Sequence, residues 1–259
     1  MHFERSLPLA VAMLSGTLTM AARAADAPPP PEGRWYGAGQ AGLVISSGNT
    51  DTTAANARLD LARTDGPWKN TVYVGGLYSK SNGILAGESI EGRYELDHKI
   101  TDRFFWFGNA DAMRDRFSGF NYQATLATGI GYKFIDSDAT KLDGIVGVGY
   151  QRLQPQTIMK DPSGKVTERI NLPSEGDAVG IAGLDFAQHL SKSTALTDKL
   201  YITTGSLNTS IANDLALTVA MSDRLAVSLG YGIRDNTKPA AGVKKLNQLT
   251  TANVVYNIK

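Results

Sequence analysis

Three histidines, His2, His98 and His189, are all the imidazole this chain carries, and it has no cysteine. A thiolate nucleophile, a thiolate zinc site and a disulfide framework are thereby excluded, and no multi-histidine metal centre is expected. His189 follows Asp185 at a spacing that puts both on one face of an extended strand. Beside a serine, such a pair would be the start of a Ser–His–Asp hydrolase, the chemistry of an outer-membrane lipase. His189, however, adjoins the tight turn Ser191-Lys192-Ser193, at the end of the molecule away from the long loops. A lipase working on outer-leaflet lipid needs its site at the opposite rim. His98 has the parity of a lipid-facing residue. No catalytic residue is assigned, and the chain is not expected to be an enzyme. The sequence has no phosphate loop, dinucleotide fingerprint or metal motif, so no cofactor and no metal are expected.

What remains is charge. The 26 Lys and Arg against 25 Asp and Glu give a net charge of +1, which argues against a nucleic-acid partner because phosphate binding needs a basic excess. The charges are patterned. Glu91, Arg93, Glu95, Asp97 and Lys99 alternate with Ile90, Gly92, Tyr94, Leu96 and His98. Arg58, Asp60, Asp111, Asp185, Lys199 and Arg224 fall on the polar face of their own segments by the same parity. Acids and bases mixed on one face suit an ion-pair network that fills a narrow lumen, since a charge held away from water needs a partner. The other reading is a selectivity zone in a pore, with small solutes or ions as partners.

Alternation with period two is the mark of strands. Leu225, Val227, Leu229, Tyr231 and Ile233 interleave with Arg224, Ala226, Ser228, Gly230, Gly232 and Arg234. Ala252, Val254, Tyr256 and Ile258 do so with Thr251, Asn253 and Asn257. A helix would scatter both sets around its circumference. Twelve segments follow: 35–46, 52–64, 68–79, 88–99, 103–116, 120–134, 140–153, 177–190, 194–205, 208–221, 224–234 and 247–258. Pro67, Pro155, Pro162, Pro173 and Pro239 fall between them, as expected of residues that cannot donate to a ladder. Connections after even segments are short, as at Thr64–Pro67 and Ser222-Asp223. Several after odd segments are long, notably Gln154–Gly176 and Asp235–Lys245. An even count, short turns at one end and long loops at the other predict an all-β fold. It is an up-and-down antiparallel transmembrane β-barrel of about 12 strands, with both chain ends on the periplasmic side. Trp35, Trp68, Phe104, Trp106, Tyr132, Phe134 and Tyr256 cap the apolar faces near the short turns, where rings prefer a membrane boundary. Outer-membrane lipid is then a partner of the apolar face. A soluble periplasmic barrel with an apolar interior for a ligand shares the alternation with the faces reversed.

The first residues stand outside this pattern. Residues 1–24 read as a signal peptide, with Arg5, an apolar stretch from Leu7 to Met20, and Ala22-Arg23-Ala24 before the cleavage point. The stretch is shorter than the ~20 residues a spanning helix needs. Residues 25–33 hold Pro28-Pro29-Pro30-Pro31 and form an extended leader. Residues 34–259 are the barrel. The turn chemistry of Ser47-Gly48-Asn49-Thr50-Asp51 marks a hairpin.

Trp35 leading into Ser46-Ser47-Gly48-Asn49-Thr50-Asp51-Thr52 resembles the YdiY-like family of salt-induced outer-membrane proteins, a family of unassigned function. Arg103-Phe104-Phe105-Trp106-Phe107-Gly108, Asp115-Arg116-Phe117-Ser118-Gly119 and Gly129-Ile130-Gly131-Tyr132 continue the match in order. The resemblance implies an outer-membrane barrel with a link to salt or osmotic stress, and no ligand or catalytic residue. It also implies insertion by the barrel-assembly machinery. The terminal Tyr256-Asn257-Ile258-Lys259 departs from the closing aromatic that such machinery reads.

Overall fold

The computed structural model describes residues 32–46, 52–116, 119–162, 165–239 and 245–258. The signal peptide, the leader up to its last residues and the Ser47–Asp51 turn lie outside that set. The first seven strands are β1 (Trp35–Ser46), β2 (Thr52–Asp65), β3 (Trp68–Ser81), β4 (Ile84–Lys99), β5 (Phe104–Asp115), β6 (Phe120–Asp136) and β7 (Thr140–Lys160). They are followed by β8 (Val166–Asn171), β9 (Glu175–His189), β10 (Thr194–Gly205), β11 (Thr209–Ala220), β12 (Leu225–Asn236) and β13 (Leu246–Ile258).

All pairings are antiparallel, and the sheet closes on itself where β1 meets β13, from Gly37↔Ile258 to Ala41↔Val254. β7 pairs with both β6 and β9, so twelve strands make the ring. β8 pairs with the far end of β7 alone, from Gln156↔Asn171 onward. It forms a hairpin arm standing off the rim. The segment Gln154–Gly176, read from the sequence as a loop, is therefore mostly strand. Pro155 lies inside β7, not between strands. It is tolerated because β6 ends there: Phe120↔Pro155 closes that ladder, so a missing N–H costs little.

Direct partners trace a path around the ring. It runs Trp68↔His98↔Trp106↔Ile130↔Val146↔Ala182, then Ile202↔Ile211↔Asp235↔Leu246. It starts at the turn-side end of β3 and finishes at the loop-side end of β13. The strands are thus tilted against the axis, as closure requires.

Short turns on one side repeat a single device. The hydroxyls of Thr101, Ser137, Ser191 and Ser222 accept from the backbone N–H of Phe104 (2.9 Å), Thr140 (3.0 Å), Thr194 (3.1 Å) and Leu225 (3.1 Å), three residues on. A hydroxyl that mimics a backbone acceptor fixes the reversal without a long loop. The β2–β3 turn uses Gly66 at φ 56, and its N–H donates to Glu32 Oε1 at 2.8 Å.

The faces are arranged as in a membrane barrel. Leu126, Val148 and Leu43 are exposed outward at 66%, 66% and 64%, whereas Asp60 inside is at 0%. The seven aromatic residues of the turn-side band all point outward by strand parity. Phe104 and Tyr132 rings meet at 4.8 Å, Tyr132 and Phe134 at 5.2 Å, and His98 lies on Trp68 at 4.2 Å. Two other aromatics of β5, Phe105 and Phe107, point inward. Their rings occupy space left by glycines: a Cβ on Gly129 or Gly147 would come within 2.7 or 2.9 Å of Phe107.

Candidate functional site

Alternate residues of the twelve tilted strands converge on the axis, so the lumen is where the sequence-predicted charges can meet. Arg58 and Asp60, two apart on β2, lie on one face. The Arg58 guanidinium donates to both Asp60 carboxylate oxygens, Nε at 2.6 Å and Nη2 at 2.8 Å. The Tyr73 ring covers it at 4.9 Å. Lys199 reaches Asp185 at 3.5 Å. Arg93 and Asp111 are direct partners across β4 and β5. Glu91, Glu95 and Asp97 continue the inner face of β4.

Two predicted positions lie elsewhere. Lys99 is the last residue of β4, and its ammonium sits at the rim on Asp102 at 2.7 Å. Arg224 is exposed in the turn before β12, which begins at Leu225. In both cases parity was extended past the point where the strand stops. The lumen also holds residues outside the predicted set. Lys69 approaches Asp97 at 3.6 Å, and Arg234 grips Asp214 through two hydrogen bonds of 2.9 and 2.8 Å. Asp143 faces Asp185 across β7 and β9. Arg234 and Asp214 share the inward parity of their strands, so alternation alone would have found them.

Tyrosines do what charge patterning does not disclose. Tyr201 projects from β10 toward the opposite wall. Its ring takes the Arg93 guanidinium of β4 at 5.4 Å, and its hydroxyl accepts from Asn109 Nδ2 of β5 at 3.5 Å. Four ring neighbours separate β10 from β4 by the shorter route, so this contact spans the barrel. Around it the packing is tight: Phe107, Tyr73 and Asn109 are buried. On the loop side lies a cavity of about 160 Å³ with Tyr73, Glu91, Arg93, Asp111 and Tyr201 at its floor and Asn208, Asn236 and Asn247 in its walls. A smaller cavity of about 30 Å³ lies by Gln40, Arg58, Lys199 and Asp214.

Outside the barrel one acid breaks the apolar belt. Asp198, fifth of the twelve residues of β10, points outward, and its carboxylate accepts from Asn213 Nδ2 at 2.7 Å. His189 lies near the turn side with Asp185 on its face, while the Asp185 carboxylate is engaged by Lys199. His98 stacks outward on Trp68.

Comparison with known proteins agrees with the sequence resemblance. The chain is 21% identical over 219 residues to "Uncharacterized protein YdiY" of Escherichia coli (strain K12), covering 84% of this chain and 81% of that one. Among solved structures it is similar to the translocator domain of autotransporter NalP from Neisseria meningitidis, at 16% identity and a TM-score of 0.49 over 86% of this chain and 87% of that one. It is also similar to the NanC porin, at 12% identity and a TM-score of 0.48 over 86% and 99%. The family described as "Protein of unknown function, DUF481" matches residues 39–258, and the chain belongs to that family.

Proposed function

We propose that this protein is an outer-membrane barrel with a narrow lumen, gated by side chains, that passes ions and small solutes. The carrying observation is the Arg93–Tyr201–Asn109 contact, which joins opposite walls between the loop-side cavity and the turn side. A lumen crossed by one ring and one guanidinium is closed to bulky solutes and can open by rotation of the Tyr201 side chain. An outward apolar belt and a turn-side aromatic band support placement in a bilayer. Export by the 1–24 signal peptide, insertion by the barrel-assembly machinery and a periplasmic location of the short turns complete the reading. A role in salt or osmotic stress rests on the family resemblance alone.

The test is conductance in planar bilayers. The parent should give small single-channel steps, and Tyr201→Ala should enlarge them several-fold. Equal steps in both, or a parent with the conductance of a wide porin, would overturn the gate. No current from either protein would overturn the pore.

A further inference from the structure

The inner face is unequal in sign, and the inequality follows from how its bases are spent. Five bases point into the lumen from the body of the strands, Arg58, Lys69, Arg93, Lys199 and Arg234, while Lys133 and Lys141 share that parity at the turn end of β6 and β7. Each of the five has an acid of its own. Arg58 holds Asp60, Lys69 holds Asp97, Lys199 holds Asp185 and Arg234 holds Asp214, at 2.6, 3.6, 3.5 and 2.8 Å. Arg93 stands directly opposite Asp111. Outside those five pairs the inward acids are Glu91, Glu95 and Asp143, together with Asp115, which is buried at the loop end of β5. The base opposite Asp143 in register, Lys133, turns its ammonium to Asp136 at the turn, 3.2 Å away.

The surplus acids are spread along the axis rather than pooled. Glu91 stands at the floor of the loop-side cavity, where the Tyr73 hydroxyl donates a hydrogen bond to its carboxylate while Oε1 is buried with no hydrogen-bond partner. Glu95 is four residues further along the same face of β4, about 13 Å toward the turns at ~3.3 Å per residue. Asp143 lies nearer the turn side, directly across from Asp185, two acids in register on neighbouring strands. Like charges so placed repel, and a mobile cation relieves that repulsion. In a lumen with low-dielectric walls, uncompensated acids raise the local concentration of cations and repel anions.

We infer that the lumen selects for cations, with Glu91, Glu95 and Asp143 as its selectivity-determining residues. The inference rests on the pore reading. Its test is the zero-current potential of the full-length protein, matured by the cell, in planar bilayers under a KCl gradient. The parent should pass K⁺ several-fold better than Cl⁻. Glu95→Gln combined with Asp143→Asn should bring the ratio toward unity, and Lys69→Gln, which frees a further acid, should raise it. A parent that prefers Cl⁻ or shows no preference overturns the inference while leaving the pore intact. So does a ratio untouched by the double substitution. Should the double variant fail to insert, the parent's sign and the response to Lys69→Gln still decide the matter. Absence of current in every protein overturns the pore reading and the selectivity with it.

Discussion

Replacing Asp60 by alanine removes one half of the most enclosed ion pair in the lumen that the structure describes. Asp60 is fully buried and Arg58 is 8% exposed, and two charge-assisted hydrogen bonds of 2.6 and 2.8 Å join them. The Tyr73 ring stays over the guanidinium in the variant and supplies a weak cation–π contact, present before and after the change. What changes is that Arg58 is left as a buried charge without its counter-ion. Breaking one side of such a pair costs about 3–5 kcal/mol, a loss of roughly two to three and a half orders of magnitude in the folded-to-unfolded ratio at about 1.4 kcal/mol per factor of ten. The double change Arg58→Met with Asp60→Leu should lose far less, because the desolvation penalty disappears together with the attraction. Urea unfolding in phospholipid vesicles reads this directly. The chain's three tryptophans, Trp35, Trp68 and Trp106, all lie in the turn-side band and report insertion through their fluorescence. An Asp60→Ala variant within about 1 kcal/mol of the parent, the range of solvated pairs, would mean that water reaches the pair and that the lumen is open at this level.

Two further outcomes follow from the same geometry. A Cβ on Gly131 would run into the Phe105 ring, so Gly131→Ala should cost about 1–3 kcal/mol through overpacking, and adding Phe105→Leu should restore much of it, as measured by the same unfolding curves. At the β4–β5 turn, a hydrogen bond from Lys99 holds the Asp102 carboxyl below the ordinary aspartate range. A depressed folded value means that its stabilising contribution is present above the unfolded pKa and is lost as pH falls through the folded one. NMR titration should place Asp102 low in the parent and return it to the ordinary range in Lys99→Met; an unmoved titration would refute the contact.

Much of this architecture is written in the alternation. A one-residue slip of β4 would turn its charges to lipid, and that penalty fixes the register and makes the inner face legible. Strand number was legible too, because twelve alternating runs separated by short and long connections close only one way. The β7–β8 arm was not, since Pro155 and Pro162 bracket Gln156–Lys160 and read as loop punctuation. The inward aromatic residues were harder to read. Phe105 and Phe107 carry no mark distinguishing them from Phe104 and Trp106 except strict parity, and the glycines that receive them lie on β6 and β7. Tyr201 sits among the apolar residues of β10 and shows its polar role only once β4 and β5 stand across from it. Asp198 runs the other way: an acid with outward parity, held by Asn213, which pattern alone gives no reason to expect in an apolar belt.

The central claim is that the apolar alternate faces lipid and the polar alternate lines a lumen. The chain has no cysteine, so single cysteines introduced along β12 can be labelled one at a time with a small fluorophore and placed in bilayers of brominated lipid. Val227→Cys, Leu229→Cys and Tyr231→Cys should be strongly quenched by the lipid bromines, whereas Ser228→Cys, Gly230→Cys and Gly232→Cys should be spared. The opposite alternation would show the barrel inside out, and quenching without alternation would show that β12 does not span the bilayer as a strand.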